Sequence, residues 1–212
     1  MNTNRRLFRT AVVGCLAIVL LSVVSTGCRR DDFVELDRFI PDIVLDIRYA
    51  TTNNFTGRIL YPSARCFLRK PVAEKLRAVQ AELAPMGFGL KIFDGYRPLS
   101  VQKKMWEVFP NPGYVADPRK GSRHNRGAAV DLTLIRLVDG AELVMPTPYD
   151  DFTKKAHRKY ADLPEEAIHN RELLEQTMLK HGFIGLPTEW WHFDDKDWKR
   201  YKIVDVDVDA MR

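Results

Sequence analysis

The sequence predicts an α+β protein: a single domain with a mainly antiparallel sheet flanked by helices. Its 212 residues suit one domain, and 45% of them are hydrophobic, which is enough for a substantial core. Strand-like stretches occur beside separate stretches of helical spacing, and Asp139-Gly140 is a hairpin signal between two apolar stretches. The sequence contains no internal repeat and no low-complexity segment.

The first 27 residues differ from the rest and are predicted to be a signal peptide. The basic start, MNTNRRLFRT, is followed by 14 largely apolar residues at 11–24 and then by STGC. The apolar run is short for a membrane-spanning helix, which needs roughly 20 residues. The small residues before Cys28 resemble a bacterial lipobox, although Ser25 stands where leucine is usual. We expect Cys28 to be lipidated; an ordinary cleaved signal and an uncleaved anchor are the alternatives.

This N-terminus implies an exported protein, periplasmic or at the cell surface, that meets the membrane only through a lipid or signal anchor. Residues 28–40 are predicted to be a tether and residues 41–212 the folded domain. Removing residues 1–27 lowers the net charge from +5 to +2, because three arginines and no acid leave. The remaining charge predicts no nucleic-acid partner. Cys66 follows Cys28 as the last cysteine, so no internal disulfide is expected in the domain.

The first half of the domain is predicted to contain two strands and two helices. DIVLDIRYA (42–50) alternates as a strand does. From residue 72, apolar residues recur at helical spacing after a first-turn proline, and the helix ends at residues 85–87, which include Pro and Gly. FGLKIFDGY (88–96) predicts a buried strand, and PLSVQKKMWEVF (98–109) predicts a helix that begins at its proline.

The second half begins with a long loop, because residues 110–127 are rich in Pro, Gly, Arg and Asp. AAVDLTLIRLV (128–138) predicts a strand that turns at Asp139-Gly140 into AELVM. Residues 146–170 are predicted to be irregular. RELLEQTMLKHGF predicts a helix that stops at Gly182, and EWWHFD (189–194) predicts a short aromatic strand.

An aspartate, Asp131, interrupts the apolar run of the predicted strand 128–138. Burying a lone charge is costly unless something compensates for it, so this carboxylate either is solvated or binds a positive partner. Asp131 together with His124 and His192 would make a zinc set of two imidazoles and one carboxylate, which leaves a fourth position for water. A single loop histidine is usually only a polar loop residue. His124 is therefore a candidate metal ligand only in combination with Asp131 and His192.

Two further residues would complete a hydrolytic site around such a zinc ion. Glu189 lies three residues before His192 and is a candidate to take a proton from the water. Arg97, in DGYRP, stands at a predicted strand-to-helix turn and is a candidate to stabilise an oxyanion. On a regular strand, residues three apart face opposite sides. Glu189 and His192 therefore share a site only if Glu189 lies on the loop after Pro187, or if the strand bulges or twists.

Three motifs together resemble one protein family. DGYRP (94–98), SRHNRGAAVDLTL (122–134) and EWWHF (189–193) resemble the D-alanyl-D-alanine dipeptidases, the VanX-like branch of the zinc D,D-peptidases. RYATTNNFTG (48–57) resembles the N-terminal region of that family, and the resemblance runs through the chain in the family's order to residue 198. The H-x6-D spacing alone would also admit D,D-carboxypeptidases and L,D-endopeptidases.

The resemblance implies zinc-dependent hydrolysis of the D-Ala-D-Ala dipeptide, in cell-wall peptide turnover or scavenging, with one zinc ion per chain. The zinc ligands of the family correspond to His124, Asp131 and His192. The catalytic base corresponds to Glu189, and the residue that steadies the transition state corresponds to Arg97. The family's contacts with the substrate's amino end correspond to Ser122 and Asp150. Tyr49 corresponds to a residue that lines the same pocket.

Two alternatives remain open from the sequence. A related zinc D,D-carboxypeptidase or endopeptidase would act on peptidoglycan stem peptides and would need an open cleft past the zinc. A zinc-binding module without catalysis could dispense with Glu189 and Arg97, and the presence of both favours an enzyme. The predicted signal peptide departs from well-known members of the family, which act in the cytoplasm, so we expect the substrate to be met as cell-wall fragments or external dipeptide.

Overall fold

The computed structural model describes residues 33–211. Its centre is a five-stranded sheet in the order β2-β4-β5-β7-β6. β2 pairs with β4 in parallel, and the other neighbours pair antiparallel, which confirms the predicted sheet. The five strands are β2 Val44–Leu45, β4 Phe88–Asp94, β5 Ala129–Arg136, β6 Phe183–Gly185 and β7 His192–Asp195.

The chain before the central sheet is folded, which corrects the predicted tether. β1 (Phe33–Glu35) pairs with β3 (Phe67–Arg69) in a separate two-stranded sheet, and helix α1 (Leu36–Phe39) follows β1. The domain therefore begins by residue 33 rather than at residue 41, because apolar side chains within the short segment are buried in the core. These side chains are Phe33, Leu36 and Ile40. The predicted signal peptide, Cys28 and the rest of the tether lie outside the described residues.

Helices α2 (Lys70–Leu83) and α4 (Glu165–Lys180) pack on the central sheet. Helix α3 (Leu99–Val108) follows β4 in the chain. α2 contacts β4 and α4, while α4 also contacts β5 and β6. α4 begins six residues before the predicted helix, directly after Pro164, and has Glu165 and Glu166 in its first turn, where carboxylates favour the positive end of a helix.

Successive side chains of β5 alternate between the hydrophobic core and the opposite face, which carries Asp131. Val130, Leu132 and Leu134 belong to the main hydrophobic cluster, together with apolar residues of α2. Because successive side chains of a strand face opposite sides, Asp131 faces away from α2. A β-bulge in β4 between Ile92 and Asp94 shifts the register, so that Asp94 lies opposite Asp131.

Two predicted elements are shorter than expected. Of the predicted strand 42–50, only Val44–Leu45 forms a strand, and Arg48–Ala50 is a 3₁₀ turn. The Asp139-Gly140 turn forms with Gly140 at φ 71°, but the returning chain pairs with β5 only at an isolated bridge between Ile135 and Glu142. Within residues 33–211, no helix is long and apolar enough to cross a membrane.

Replacing Leu36 by Ala tests whether the segment before residue 41 is part of the fold. Leu36 is fully buried, so the change should lower the free energy of unfolding by about 2–5 kcal/mol. Ile59 is 64% exposed, and its replacement by Ala is the control, with an expected change within about 0.5 kcal/mol. Urea unfolding of both variants measures the difference; equal stability of the two would mean that this segment is not integral to the domain.

Candidate metal centre

Three predicted ligands from three elements meet at one point. His124 lies in a 3₁₀ turn, His124–Arg126, whereas Asp131 of β5 and His192 of β7 are directly paired across the sheet. One donor atom from each residue lies within 4.8 Å of the other two. Asp131 Oδ1 is 2.9 Å from His192 Nδ1 and 3.4 Å from His124 Nε2, and the two nitrogens are 3.2 Å apart.

Each ligand is oriented by a second contact on its far side. His124 Nδ1 lies 2.7 Å from the Gly95 carbonyl oxygen, so it donates a hydrogen there and leaves Nε2 free for a metal. His192 Nε2 lies 2.9 Å from an oxygen of Asp194, which leaves Nδ1 free. The Tyr149 hydroxyl donates to Asp131 Oδ2 at 3.0 Å. Two nitrogens and one carboxylate oxygen with converging lone pairs fit the open, three-ligand sites of catalytic zinc.

The charges of the ligands are mutually stabilised. Burial alone would lower the pKa of His192, but the carboxylates of Asp194 and Asp131 outweigh it and raise that pKa to about 10. Burial would raise the pKa of Asp131, but the imidazoles of His124 and His192 hold it below its usual range. A dication bound by these donors takes the place of an imidazole proton, so metal binding releases protons and weakens in acid.

Glu189 lies beside the ligand set without belonging to it. Its carboxylate oxygen Oε2 is 4.0 Å from His192 Nδ1, and the residue is only 6% exposed. It stands on the loop after Pro187, before β7 begins, so the first of the two geometries allowed by the sequence is the one found. Burial raises the pKa of Glu189 to about 8; Asp131 reinforces the rise and His192 opposes it. A carboxyl group held beside the ligand set, but not part of it, is placed to exchange a proton with a water there.

Arg97 is held rigidly at the edge of the same pocket. Its Nε and Nη2 donate to Asp94 Oδ2 at 3.0 and 2.6 Å, and its Nη1 donates to Gln102 Oε1 at 2.8 Å. Burial opposes the charge on Arg97, but Asp94 outweighs burial and raises its pKa well above the usual value. A guanidinium has five N–H groups, so Nη1 and Nη2 each keep one hydrogen for a further acceptor.

The three predicted substrate-binding residues line this pocket with the ligands, Glu189 and Arg97. The Tyr49 hydroxyl donates to Asp150 Oδ1 at 3.2 Å, and the Phe55 backbone N–H donates to Asp150 Oδ2 at 3.1 Å. Burial raises the pKa of Asp150 to about 7. The Ser122 Oγ accepts the His124 backbone N–H at 3.2 Å. All eight predicted pocket residues are thus brought together; Cys28 lies outside the described residues.

Aromatic rings close the pocket beside Asp150. Phe152 contacts Phe55, Tyr114 and Phe109 with ring centroids 5.3, 4.8 and 5.6 Å apart, and three of the four rings line the pocket. We call Phe55, Phe109, Tyr114 and Phe152 the aromatic wall. Trp191 also lines the pocket, and Trp190 is buried in the core.

Sequence reasoning missed the groups that orient the ligands. Asp194 could have been found, because an H-x-D pattern on a strand places both side chains on one face. Tyr149 and the Gly95 carbonyl carry no such signal, since their contacts join distant parts of the chain. Asp94, three residues before Arg97 in the DGYRP motif, pairs with it.

A buried set of two imidazoles and one carboxylate, with a carboxylate beside it that is not a ligand, defines a zinc hydrolase. The sequence pattern of the D-ala-D-ala dipeptidase family (Peptidase_M15) matches residues 29–208. The chain belongs to that family of zinc peptidases, as the motifs predicted.

Three proteins named D-alanyl-D-alanine dipeptidase are similar over most of the chain. The one from Escherichia coli (strain K12) is 37% identical over 163 residues, which covers 77% of this chain and 84% of that protein. The one from Enterococcus faecalis (strain V583) is 32% identical and covers 77% of this chain and 91% of its own length. The one from Streptomyces coelicolor is also 32% identical, with 78% and 92% covered.

Replacing His192 by Ala should abolish tight zinc binding, because two remaining protein ligands seldom retain a catalytic metal. The matched control is His169→Ala, since His169 is exposed on α4 and away from the ligand set. Elemental analysis of dialysed proteins should find one zinc per chain in the wild type and in H169A, and none in H192A. Full zinc content in H192A would exclude His192 as a ligand.

Proposed function

We propose that the protein hydrolyses the free dipeptide D-Ala-D-Ala, in cell-wall peptide turnover or scavenging. The observation that carries this proposal is the placement of Asp150 in the zinc pocket beside the aromatic wall. A free dipeptide brings an ammonium group, and a buried carboxylate in the pocket is suited to bind it. The names of the similar proteins and the family match agree with this substrate.

Zinc bound at this centre supplies a Lewis acid and an activated water. Glu189 takes a proton from the attacking water as general base and returns it to the leaving amine as general acid. The position of its carboxylate, 4.0 Å from the ligand atom of His192 and outside the ligand set, supports this role. The pocket shields the Glu189 carboxylate from bulk water, so the proton that it takes from the attacking water stays within the site.

Arg97 stabilises the oxyanion that forms when the peptide carbonyl is attacked. Its two remaining N–H groups are fixed in direction by Asp94 and Gln102, so little reorganisation is needed when negative charge develops. The Tyr49 ring lies 5.2 Å from the guanidinium carbon and covers it on one side. These contacts make Arg97 a preorganised donor rather than a mobile surface charge.

Recognition of the ammonium group falls to Asp150, with Tyr49 and Ser122 in the same pocket. Asp150 has a positive φ of 62°, a backbone conformation that is unusual outside glycine. Its two oxygens are held by Tyr49 and by the Phe55 N–H, so the carboxylate is fixed before the substrate arrives. Preorganisation of this kind lowers the entropic cost of binding.

The alternative function, hydrolysis of stem peptides, needs room beyond the amino end of D-Ala-D-Ala. A stem peptide would have to continue past Asp150, beside which the rings of the aromatic wall pack against one another. It would also leave the charge of Asp150 without an ammonium partner. We therefore favour the dipeptide over a carboxypeptidase or endopeptidase substrate.

Glu189→Gln should keep zinc and fold yet lose nearly all turnover. General base catalysis contributes roughly 10²–10⁴-fold, and Glu189 serves in two proton transfers, so a loss at or above the top of that range is expected. Glu172→Gln, at an exposed position of α4, is the control and should remain fully active. Zinc content, melting temperature and D-Ala-D-Ala turnover are measured on the same preparations. A zinc-loaded, stable and active E189Q protein would exclude this mechanism.

The wild type should hydrolyse D-Ala-D-Ala but neither its N-acetyl derivative nor a stem pentapeptide, because Asp150 requires a free ammonium group. Its KM should rise as pH falls below about 7, since Asp150 takes up a proton there. Asp150→Asn should raise KM at neutral pH and remove that dependence, with a smaller effect on kcat. Steady-state kinetics from pH 5 to 8 provide the measurement. Efficient cleavage of the pentapeptide would instead establish the alternative function.

We further propose that the protein is exported and held at a membrane through lipidated Cys28. The basic start, the apolar run at 11–24 and the small residues before Cys28 support this proposal. The fold is compatible with a short linker, since the domain begins by residue 33. The substrate would then be met outside the cytoplasm.

Cys28→Ser should move the full-length protein from the membrane fraction to the soluble fraction, because the thiol is the site of acylation. Cys15→Ser, within the apolar run, is the matched control and should stay with the membrane. Fractionation and intact-mass measurement of the mature protein test the prediction. Unchanged membrane partition of C28S would favour an uncleaved anchor.

A further inference from the structure

The His192 ring is held between two carboxylates. Its Nδ1 faces the ligand set, 2.9 Å from Asp131 Oδ1, and its Nε2 lies 2.9 Å from Asp194 Oδ1. An imidazole can offer a lone pair to a metal at one nitrogen only when the other carries the hydrogen. His192 and Asp194 are two apart on β7, so the strand itself directs both side chains to the same face.

The second oxygen of Asp194 faces an arginine from another element. Asp194 Oδ2 lies 3.5 Å from Arg123 Nε, and this buried nitrogen has no hydrogen-bond partner among the described residues. The guanidinium also lies over the Trp198 ring, with its carbon 4.7 Å from the ring centre. Asp194 is 8% exposed, so its charge needs a compensating cation close by.

Arg123 directly precedes His124 in the chain. The Arg123–Asp194 contact therefore joins the loop that carries one zinc ligand to the strand that carries another. Such a contact resists separation of the two imidazoles when no metal holds them. Outer partners of this kind commonly affect metal affinity by 10–100-fold.

We propose that Asp194 and Arg123 form a positioning pair that keeps His192 Nδ1 directed at the zinc and the two histidine-bearing elements at a fixed separation. Asp194 acts by accepting the Nε2 hydrogen. Arg123 acts through Asp194, by holding its carboxylate in place and offsetting its charge. The pair sets how tightly the protein retains zinc, and it does so independently of the identity of the substrate.

The test is the zinc dissociation constant, measured by competition with a chelator at fixed pH. Asp194→Ala should weaken zinc binding by roughly 10–100-fold. Arg123→Gln keeps the Cβ–Cγ–Cδ stem and a polar end group but removes the charge, and it should weaken binding by several-fold. Asp197→Ala and Arg119→Gln are the matched controls, because Asp197 pairs with Lys75 and Arg119 with Asp117, away from the ligand set. Both controls should bind zinc as the wild type does.

Two further measurements separate positioning from a general loss of structure. The zinc-free variants should unfold within a few degrees of the zinc-free wild type, and Asp194→Asn, which can still accept the hydrogen, should retain more affinity than D194A. In nitrogen-15 NMR spectra of the zinc-bound protein, His192 should carry its hydrogen on Nε2, and that signal should broaden in D194A. The double variant R123Q/D194A should bind zinc no more weakly than D194A alone, since Arg123 acts through Asp194. Wild-type zinc affinity in both D194A and R123Q would overturn the proposal.

Discussion

Asp131 carries a negative charge inside the sheet, and much of the surrounding structure exists to compensate for it. A buried carboxylate without partners would cost more than the fold can supply, whereas one shared among a hydroxyl, two imidazoles and a dication is stable. Tyr149 holds its outer oxygen, and the inner oxygen faces His124 and His192. The same tyrosine lies 3.2 Å from the Tyr49 hydroxyl, which in turn contacts Asp150, so the candidate metal ligands and Asp150 belong to one polar network.

A second set of contacts ties the arginine to the metal site through the backbone. The bulge in β4 places Asp94 opposite Asp131, and Asp94 then receives Arg97, the Tyr61 hydroxyl and the Gly95 N–H. Gly95 must be glycine, because an added Cβ would lie 2.5 Å from the Cys66 sulfur and 3.0 Å from the Phe67 carbonyl oxygen. Because Gly95 has no Cβ, the backbone can lie this close to Cys66 and Phe67, and in this position the Gly95 carbonyl oxygen is 2.7 Å from His124 Nδ1. Cys66 is buried, and its close packing against Gly95 explains this constraint.

The two ends of the described chain hold the loop that carries His124. Phe33 packs under Gly127, whose φ of 66° and lack of a Cβ allow the close approach. From the C-terminal side, the Val204 N–H donates to the Asn125 carbonyl oxygen. Asn125 itself donates to the Arg97 carbonyl oxygen and accepts the Ser122 N–H. A loop of irregular backbone is thus made rigid enough for catalysis by segments far away in sequence.

The sequence by itself determined the local features: helices α2 and α3, strands β4 and β5, the three candidate zinc ligands that the fold brings together, and the family. These rest on periodicity, on prolines at helix starts and on short motifs, all of which act within a few residues. The sequence placed the start of the domain and the start of α4 too late in the chain. The structure has them at Phe33 and Glu165, because both segments are short or polar and are stabilised by packing. Only the tertiary structure decided that Glu189 precedes β7, that Asp194 and Tyr149 orient the ligands, and that an aromatic wall closes the pocket. The Asp194 contact could have been inferred from the H-x-D pattern on β7. The other outcomes depend on contacts between distant parts of the chain, for which a local pattern carries no signal.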